Sequence, residues 1–106
     1  MSHCKKLHIG EDNLIEWDEM KNSADDTYVN DASVSFTLKN ADDSVVAGAS
    51  NVSMPYIASS NGKYQGTLED SVILTRGTRY YLEITATGSI DGFRRIACVA
   101  VYHEDD

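Results

Sequence analysis

Hydrophobic and polar residues alternate strictly over two stretches of this chain. In SVSFTLK (33–39), Val34, Phe36 and Leu38 alternate with polar side chains, and RYYLEITAT (79–87) repeats the pattern. Because successive side chains of a strand point to opposite faces, a period of two with β-branched and aromatic residues predicts a half-buried β-strand. Both stretches are therefore predicted to be strands with one face in a core.

Weaker signals predict further strands at 45–48, 51–58, 63–69 and 94–103, and a short one at 5–9. Pro55 cannot donate a ladder hydrogen bond, so 51–58 is expected at a sheet edge or with a bulge. Asn61-Gly62 predicts a tight turn that joins 51–58 to 63–69 in a hairpin.

Segment 12–22 fits two structures. Leu14, Trp17 and Met20 keep a three-residue step, which suits one face of a helix. Ile15 and Trp17 also suit a strand. We favour a strand, because every later element is one.

The last strand, 94–103, is apolar at both parities. Such a strand is either covered on both faces, or one of its faces meets a partner. Tyr81 faces outward by parity, and Phe93 falls in the turn-rich loop before the strand. We predict an interaction surface formed by Tyr81, Phe93, Ala97, Val99 and Val101.

About seven strands, with turn signals about every 8–12 residues, are typical of a β-sandwich or a small barrel. A chain of 106 residues is expected to form one domain. No apolar run approaches the roughly 20 residues of a membrane helix, and the N-terminus lacks the apolar region of a secretory signal. We therefore expect one all-β domain over residues 1–106, in the cytoplasm or in a particle assembled there, with no membrane partner.

The formal net charge of −8 is unevenly distributed along the chain. Residues 11–43 hold ten acids and two lysines, and the last three residues add three more acids. Binding to a nucleic-acid backbone needs clustered Lys and Arg, so nucleic acid is not expected as a partner. The acidity predicts a solvated face or, alternatively, a surface that meets a basic partner.

Sequence motifs of catalysis are missing. The chain contains no G-x-S-x-G, no P-loop, no G-x-G-x-x-G and no H-E-x-x-H. Its histidines, His3, His8 and His103, lie near the chain ends, where a catalytic imidazole would lack a rigid shell of partners. We predict no enzymatic activity.

Acidic loop residues offer the oxygen ligands that calcium prefers. No D-x-D-x-D-G loop is present, and paired aspartates in turns usually stabilise the turn. Calcium therefore stays an alternative to a purely structural role, and no cofactor is predicted. The candidate ligands are Asp25, Asp26, Asn30, Asp31, Asp42 and Asp43.

Leu74-x-x-Gly77-x-x-Tyr80, followed by an alternating strand, resembles the tyrosine corner of immunoglobulin-like and fibronectin type III domains. NDASVSFTL (30–38) and NGKYQGTL (61–68) likewise resemble strands of bacterial Ig-like domains, and the order of these pieces is similar to small Ig-like structural proteins of phages and prophages. The resemblance implies a single Ig-like antiparallel β-sandwich. In it the Tyr80 hydroxyl would hydrogen-bond to backbone just upstream, and Gly77 would permit the sharp turn.

An Ig-like fold often sets its first and last strands side by side, which bears on the two cysteines. Cys4 and Cys98 are expected as free thiols in a cytosolic protein. A disulfide between them is the alternative, as is a zinc cluster with His3, His8 and His103. The chain has no C-x-x-C or H-x-x-x-H pair, so no metal site is predicted.

The sequence is compatible with several functions. We expect a structural or interaction module that acts through a protein partner or self-association, and the resemblance implies a virion or assembly component of a phage or mobile element. An acidic inhibitor that imitates nucleic acid is one alternative; it would carry regularly spaced carboxylates on one exposed face. A small-ligand or carbohydrate-binding module is the other; it would have a concave pocket lined by exposed aromatics.

Overall fold

Seven β-strands and no helix make up the regular structure of residues 6–22, 24–88 and 91–102, which are the residues that the computed structural model describes. The prediction of an all-β chain with about seven strands is confirmed. None of the described segments is a helix of the length and apolarity needed to cross a membrane. The strands are β1 Lys6–His8, β2 Asn13–Trp17, β3 Ser33–Asn40, β4 Val52–Ser53, β5 Tyr64–Leu68, β6 Arg79–Thr87 and β7 Gly92–Val101.

These strands form two sheets. The larger sheet has the order β1-β7-β6-β3-β4 and curls into a half-barrel, while β2 pairs with β5 in the smaller sheet. All paired strands are antiparallel except β1 and β7, which run parallel. The expectation of a wholly antiparallel arrangement is therefore wrong at this pair. Parallel neighbours need a long connection, and here the whole intervening chain provides it.

In the larger sheet, the apolar side chains that alternate along β3 and β6 all point into one core. Phe36 of β3 lies opposite Ile84 of β6, and Leu38 lies opposite Leu82. All four side chains are buried. Burying a side chain of this size stabilises the fold by roughly 1.5–3 kcal/mol, so the alternation decides which face of the sheet points inward.

The smaller sheet supplies the opposite wall of the core. Trp17 of β2 lies opposite Tyr64 of β5, and both are buried with Leu68. The strand prediction for 12–22 is confirmed at β2. Leu14 shows why the helical alternative fails, because it is 59% exposed and does not share a buried face with Trp17.

The connection between β3 and β5 departs from the prediction. Segment 45–48 forms a turn, because Gly48 adopts a left-handed φ of +82°, and Val45 makes an isolated bridge with β3. Segment 51–58 contributes the two residues of β4, which end shortly before Pro55. A residue without an N–H cannot extend the ladder, so the predicted strand is too long.

The predicted hairpin of 51–58 with 63–69 is confirmed in part. Tyr56 and Tyr64 form an antiparallel bridge, and the Ile57 N–H donates to the Lys63 carbonyl at 2.9 Å. The main ladders run elsewhere, because β4 pairs with β3 and β5 pairs with β2. The chain thus reverses as the sequence predicts and also crosses from the larger sheet to the smaller one.

Gly62 fits tightly into the turn before β5. Its φ is +69°, and a Cβ at this position would lie 2.5 Å from the Met20 carbonyl oxygen. The Gly62 N–H donates to Asn30 Oδ1 at 2.8 Å, and its carbonyl accepts a hydrogen bond from the Met20 N–H at 2.8 Å. The turn is therefore bonded to the loop between β2 and β3, and a larger residue requires the backbone to move.

Cys98 lies on β7, is 1% exposed and is disulfide-bonded. The expectation of a free thiol is therefore wrong for Cys98. Cys4, the other cysteine of the chain, lies outside the described residues. The parallel pairing of β1 with β7 sets the first strand beside the last.

Candidate functional site

The five predicted contact residues share the outward face of the larger sheet. Tyr81 of β6 lies opposite Ala97 of β7, and the outward parity of β7 continues through Phe93, Val99 and Val101. Phe93 is 60% exposed and Ala97 is exposed, while the other three are half-buried. The structure brings these residues onto one face, where Arg95 separates Phe93 from the apolar row of Ala97, Val99 and Val101; the most accessible apolar members are Phe93 and Ala97.

Tyr81 is less accessible than its parity suggests. The guanidinium of Arg95 lies 4.3 Å from the centre of the Tyr81 ring. A cation over an exposed aromatic ring stabilises by about 0.5–1 kcal/mol. Arg95 therefore covers part of the Tyr81 ring.

An ion-pair network holds Arg95 in this position. Glu83 lies between Arg95, which it binds directly, and Lys39, whose Nζ is 3.1 Å from Glu83 Oε1. Arg95 also reaches Asp43 at 2.6 Å, and its hydrogen bond lowers the pKa of the Asp43 carboxyl. Exposed ion pairs each contribute about 0–1 kcal/mol, so the network orients Arg95 more than it stabilises the fold.

Tyr80 holds the loop that precedes β6. Its hydroxyl accepts a hydrogen bond from the Thr75 N–H at 2.8 Å, and Tyr80 is 3% exposed. Gly77 has a φ of +77°, and its N–H donates to the Ala100 carbonyl at 2.8 Å. Leu74 is buried beside them. These residues position backbone and present no reactive group.

Tyr64 forms a second clamp, which the sequence pattern did not single out. Its hydroxyl donates to the Val29 carbonyl at 2.6 Å and accepts from the Ala32 N–H at 3.2 Å. Tyr64 is fully buried, and this burial raises the pKa of its hydroxyl. An inward tyrosine in a strand does signal that a hydroxyl partner is needed. The identity of that partner depends on the tertiary fold.

Arg94 is a further residue that sequence reasoning overlooked. It lies on the inward parity of β7, with its guanidinium 4.1 Å from the centre of the Trp17 ring. Its Nη1 is buried and has no hydrogen-bond partner among the residues that the structure describes. A signal was available, because adjacent arginines in a strand must face opposite sides. With Arg95 outward, Arg94 has to point inward.

Two surface clefts flank the β2 end of the molecule. One has a volume of about 350 Å³ and the other about 330 Å³, and small-ligand sites commonly span about 300–1,000 Å³. The larger combines two aromatic walls with two cationic side chains, whereas the smaller has one aromatic. The larger cleft is lined by Trp17, Lys21, Asn22, Asp91, Gly92, Phe93 and Arg94. The smaller is lined by Asp18, Glu19, Tyr28, Ser60, Asn61 and Lys63.

The acidic loop residues take part in turns. Asp25 accepts hydrogen bonds from the N–H and the hydroxyl of Thr27, and Asp42 does the same with Ser44. These bonds lower the pKa of both carboxyls. Within the described part of the chain, no three His, Cys, Asp or Glu side chains form a group that could hold a metal ion. Three members of the alternative zinc cluster lie outside the described residues: His3, Cys4 and His103.

A comparison with models of protein families and a comparison with curated proteins both find no match for this chain. The Ig-like and phage resemblances therefore stay predictions. Any function has to be inferred from the geometry described above.

Proposed function

We propose that this protein is a non-enzymatic interaction module that binds another protein through the outward face of β6 and β7. The exposure of Phe93, 60%, supports this most strongly. It begins the outward row of β7, which Arg95 interrupts and which then continues with the apolar residues Ala97, Val99 and Val101. The outward positions of β3 in the same sheet are serine, threonine and lysine. An apolar row beside polar neighbours is typical of a contact surface.

Charges around the apolar row indicate the chemistry of the partner. At outward positions of β1, β3, β6 and β7, four side chains are basic and one is acidic, and Asp43 from the loop after β3 brings a second acid to this face by its bond to Arg95. This is a basic patch on a chain whose formal charge is −8. We therefore infer a partner with acidic residues around an apolar centre. The charged residues are Lys6, Lys39, Arg79, Arg95 and Glu83.

A different protein is favoured over a second copy of this chain. Face-to-face docking of two copies would oppose their basic side chains, and like charges across an interface are costly. Two acids that contact this face, Glu83 and Asp43, are already bound to Arg95 of the same chain, so they are poorly placed to pair with the basic side chains of a second copy. Self-association is thus the less favoured form of the proposal.

An Ig-like sandwich is the finer description that we propose for the fold. The pair β2-β5 matches strands B and E, and β3-β6-β7 matches C, F and G, with β4 in the place of C′. Tyr80 stands near the start of β6, with its hydroxyl bonded a few residues upstream. That is the place of the tyrosine corner in Ig-like domains.

A role in a virion or its assembly is supported by the resemblance to small Ig-like phage proteins. The disulfide-bonded Cys98 bears on location. Disulfides persist in oxidising surroundings, virion surfaces among them, and are rare in the cytosol. Of the two expected locations, the virion is therefore favoured.

The acidic-inhibitor alternative has less support. It requires regularly spaced carboxylates on one face, whereas Asp25 and Asp42 are engaged in separate turns and Asp43 is bound to Arg95. The small-ligand alternative is favoured by one observation, the cleft beside Arg94.

Photo-crosslinking in the native host tests the proposal. A photoreactive amino acid replaces Ala97 on the outward face, and the matched control carries it at Thr67, which is exposed on β5 of the smaller sheet. We expect one identified protein to be crosslinked from position 97 and none from position 67. Equal adducts from both positions, adducts with a second copy alone, or no adduct would contradict the proposal.

A further inference from the structure

Arg94 occupies a position that is costly for an arginine. Its side chain leaves the inward face of β7 and lies over the Trp17 ring at 4.1 Å. The Nη1 group is buried without a hydrogen-bond partner in the described part of the chain. A buried donor that loses water and gains no acceptor is penalised, and the penalty is larger for a charged group. An external acceptor would remove this penalty.

The nearest acid does not supply that acceptor. Burial lowers the pKa of Arg94, and the negative charge of Asp18 opposes this effect. Asp18 is therefore close enough to Arg94 for its negative charge to affect the pKa of the guanidinium. Its carboxylate nevertheless lies 3.9 Å from Lys63 Nζ and leaves Arg94 Nη1 unbonded.

The cleft of about 350 Å³ beside Arg94 has apolar walls. Trp17 forms one wall, and Phe93, 60% exposed, forms another. Gly92 contributes room, because a Cβ there would lie 3.0 Å from the Trp17 ring. A second cation, Lys21, also lines the cleft. The site thus pairs a flat apolar surface with positive charge.

The charged side chains around the cleft indicate which kind of anion it binds. Lys21 and Arg94 carry two positive charges, and Asp18 and Asp91 carry two negative charges nearby. A phosphate dianion would be repelled by both acids, whereas a carboxylate carries one charge and fits the guanidinium fork. Lys21 is also partly engaged, since its Nζ lies 3.8 Å from Asp26.

We propose that this cleft binds the carboxylate of a ligand with a flat apolar body. The carboxylate accepts a hydrogen bond from the guanidinium of Arg94, which turns its Nη1 group toward the cleft, and the apolar body packs against Trp17 and Phe93. The ligand is either a small aromatic acid or the C-terminal carboxylate of a polypeptide. The site goes beyond the proposed docking face. It shares Phe93 with that face, but its anion-binding side chain, Arg94, lies on the inward side of β7, and Ala97 does not line the cleft.

Tryptophan fluorescence gives a direct readout, because Trp17 is the chain's one tryptophan. The probe is 3-phenylpropionate, and its neutral control is 3-phenylpropionamide. We expect a saturable change with an apparent Kd of about millimolar order for the acid. The amide should bind at least about tenfold more weakly.

Variants locate the site. Arg94→Met should abolish saturable binding, whereas Arg79→Met, which removes an exposed arginine of β6, should leave it unchanged. Replacing an unpaired buried charge by an apolar side chain is expected to preserve the fold, and circular dichroism checks this. Asp18→Asn should tighten binding about two- to threefold and Lys21→Gln should weaken it, which tests the site should Arg94→Met not fold.

Two results would overturn the proposal: an equal response to acid and amide, or saturable binding that survives in folded Arg94→Met. A tripeptide, N-acetyl-Gly-Gly-Phe, distinguishes the sources of the ligand. Tighter binding of its free acid than of 3-phenylpropionate indicates a polypeptide C-terminus, and equal or weaker binding indicates a small acid. Ala97→Glu should keep the fluorescence response, so that failure of the docking face and failure of the cleft are distinguishable.

Discussion

Replacing Tyr64 by phenylalanine tests how the loop between β2 and β3 is held. The change removes two hydrogen bonds, to the Val29 carbonyl at 2.6 Å and from the Ala32 N–H at 3.2 Å. Val29 is 5% exposed, so water does not readily replace the lost donor, whereas Ala32 is half-buried. A net bond contributes about 1 kcal/mol, and a buried group left unpaired costs about 1–3 kcal/mol. We expect Tyr64→Phe to lower the free energy of unfolding by about 2–4 kcal/mol.

Tyr80→Phe is the matched comparison. It removes one hydrogen bond, from the Thr75 N–H at 2.8 Å, and Thr75 is exposed to water. We expect a loss of about 1 kcal/mol. Urea unfolding followed by circular dichroism measures both variants, and equal slopes against denaturant show that the unfolded states are comparable. A loss for Tyr80→Phe that equals or exceeds that of Tyr64→Phe would refute the reasoning.

Three further predictions follow from single positions. Because burial raises the pKa of Tyr64, the folded state keeps a proton that the unfolded state releases above about pH 10; wild-type stability should therefore fall with rising pH in that range, and less steeply in Tyr64→Phe. Gly62→Ala should cost about 2–5 kcal/mol from left-handed strain plus the clash with Met20, against about 1 kcal/mol for Gly77→Ala, whose Cβ meets nothing within 4 Å; thermal unfolding compares them, and equal losses would count against the clash. Cys98 should resist alkylation until a reductant is added, as seen by mass spectrometry; labelling of the unreduced, denatured protein at Cys98 would show a free thiol.

The strands that the sequence predicts well are those whose signal is local. β3 and β6 alternate over their full length, so the parity of Phe36 and Leu82 can be assigned without knowing what covers them. The region 45–58 could not be assigned in this way, because Gly48 turns the chain and the ladder of β4 with β3 ends before Pro55. Apolar and polar residues still alternate between 45 and 58, although the backbone there departs from the β-ladder.

Pairing and partners were harder to predict than the strands themselves. The Asn61-Gly62 signal describes a turn but not which strand β5 joins, and β5 forms its ladder with β2 while meeting 51–58 at the Tyr56–Tyr64 bridge. The outward face of β7 could be predicted from parity. The position of Arg94 Nη1, which has no hydrogen-bond partner among residues 6–22, 24–88 and 91–102, could not, because it depends on the three-dimensional positions of Trp17 and Asp18.

The most direct test of the proposed docking face is the affinity of Ala97→Glu for the protein crosslinked at position 97, measured by isothermal titration calorimetry. Leu14→Glu is the matched control, because Leu14 is 59% exposed on β2 of the other sheet. We predict that Ala97→Glu weakens binding at least about tenfold, or about 1.4 kcal/mol, because it sets an acid against an acidic partner. Leu14→Glu should change the affinity less than about twofold. Equal losses in the two variants, or an unchanged affinity for Ala97→Glu, would contradict the proposal that this face binds the partner.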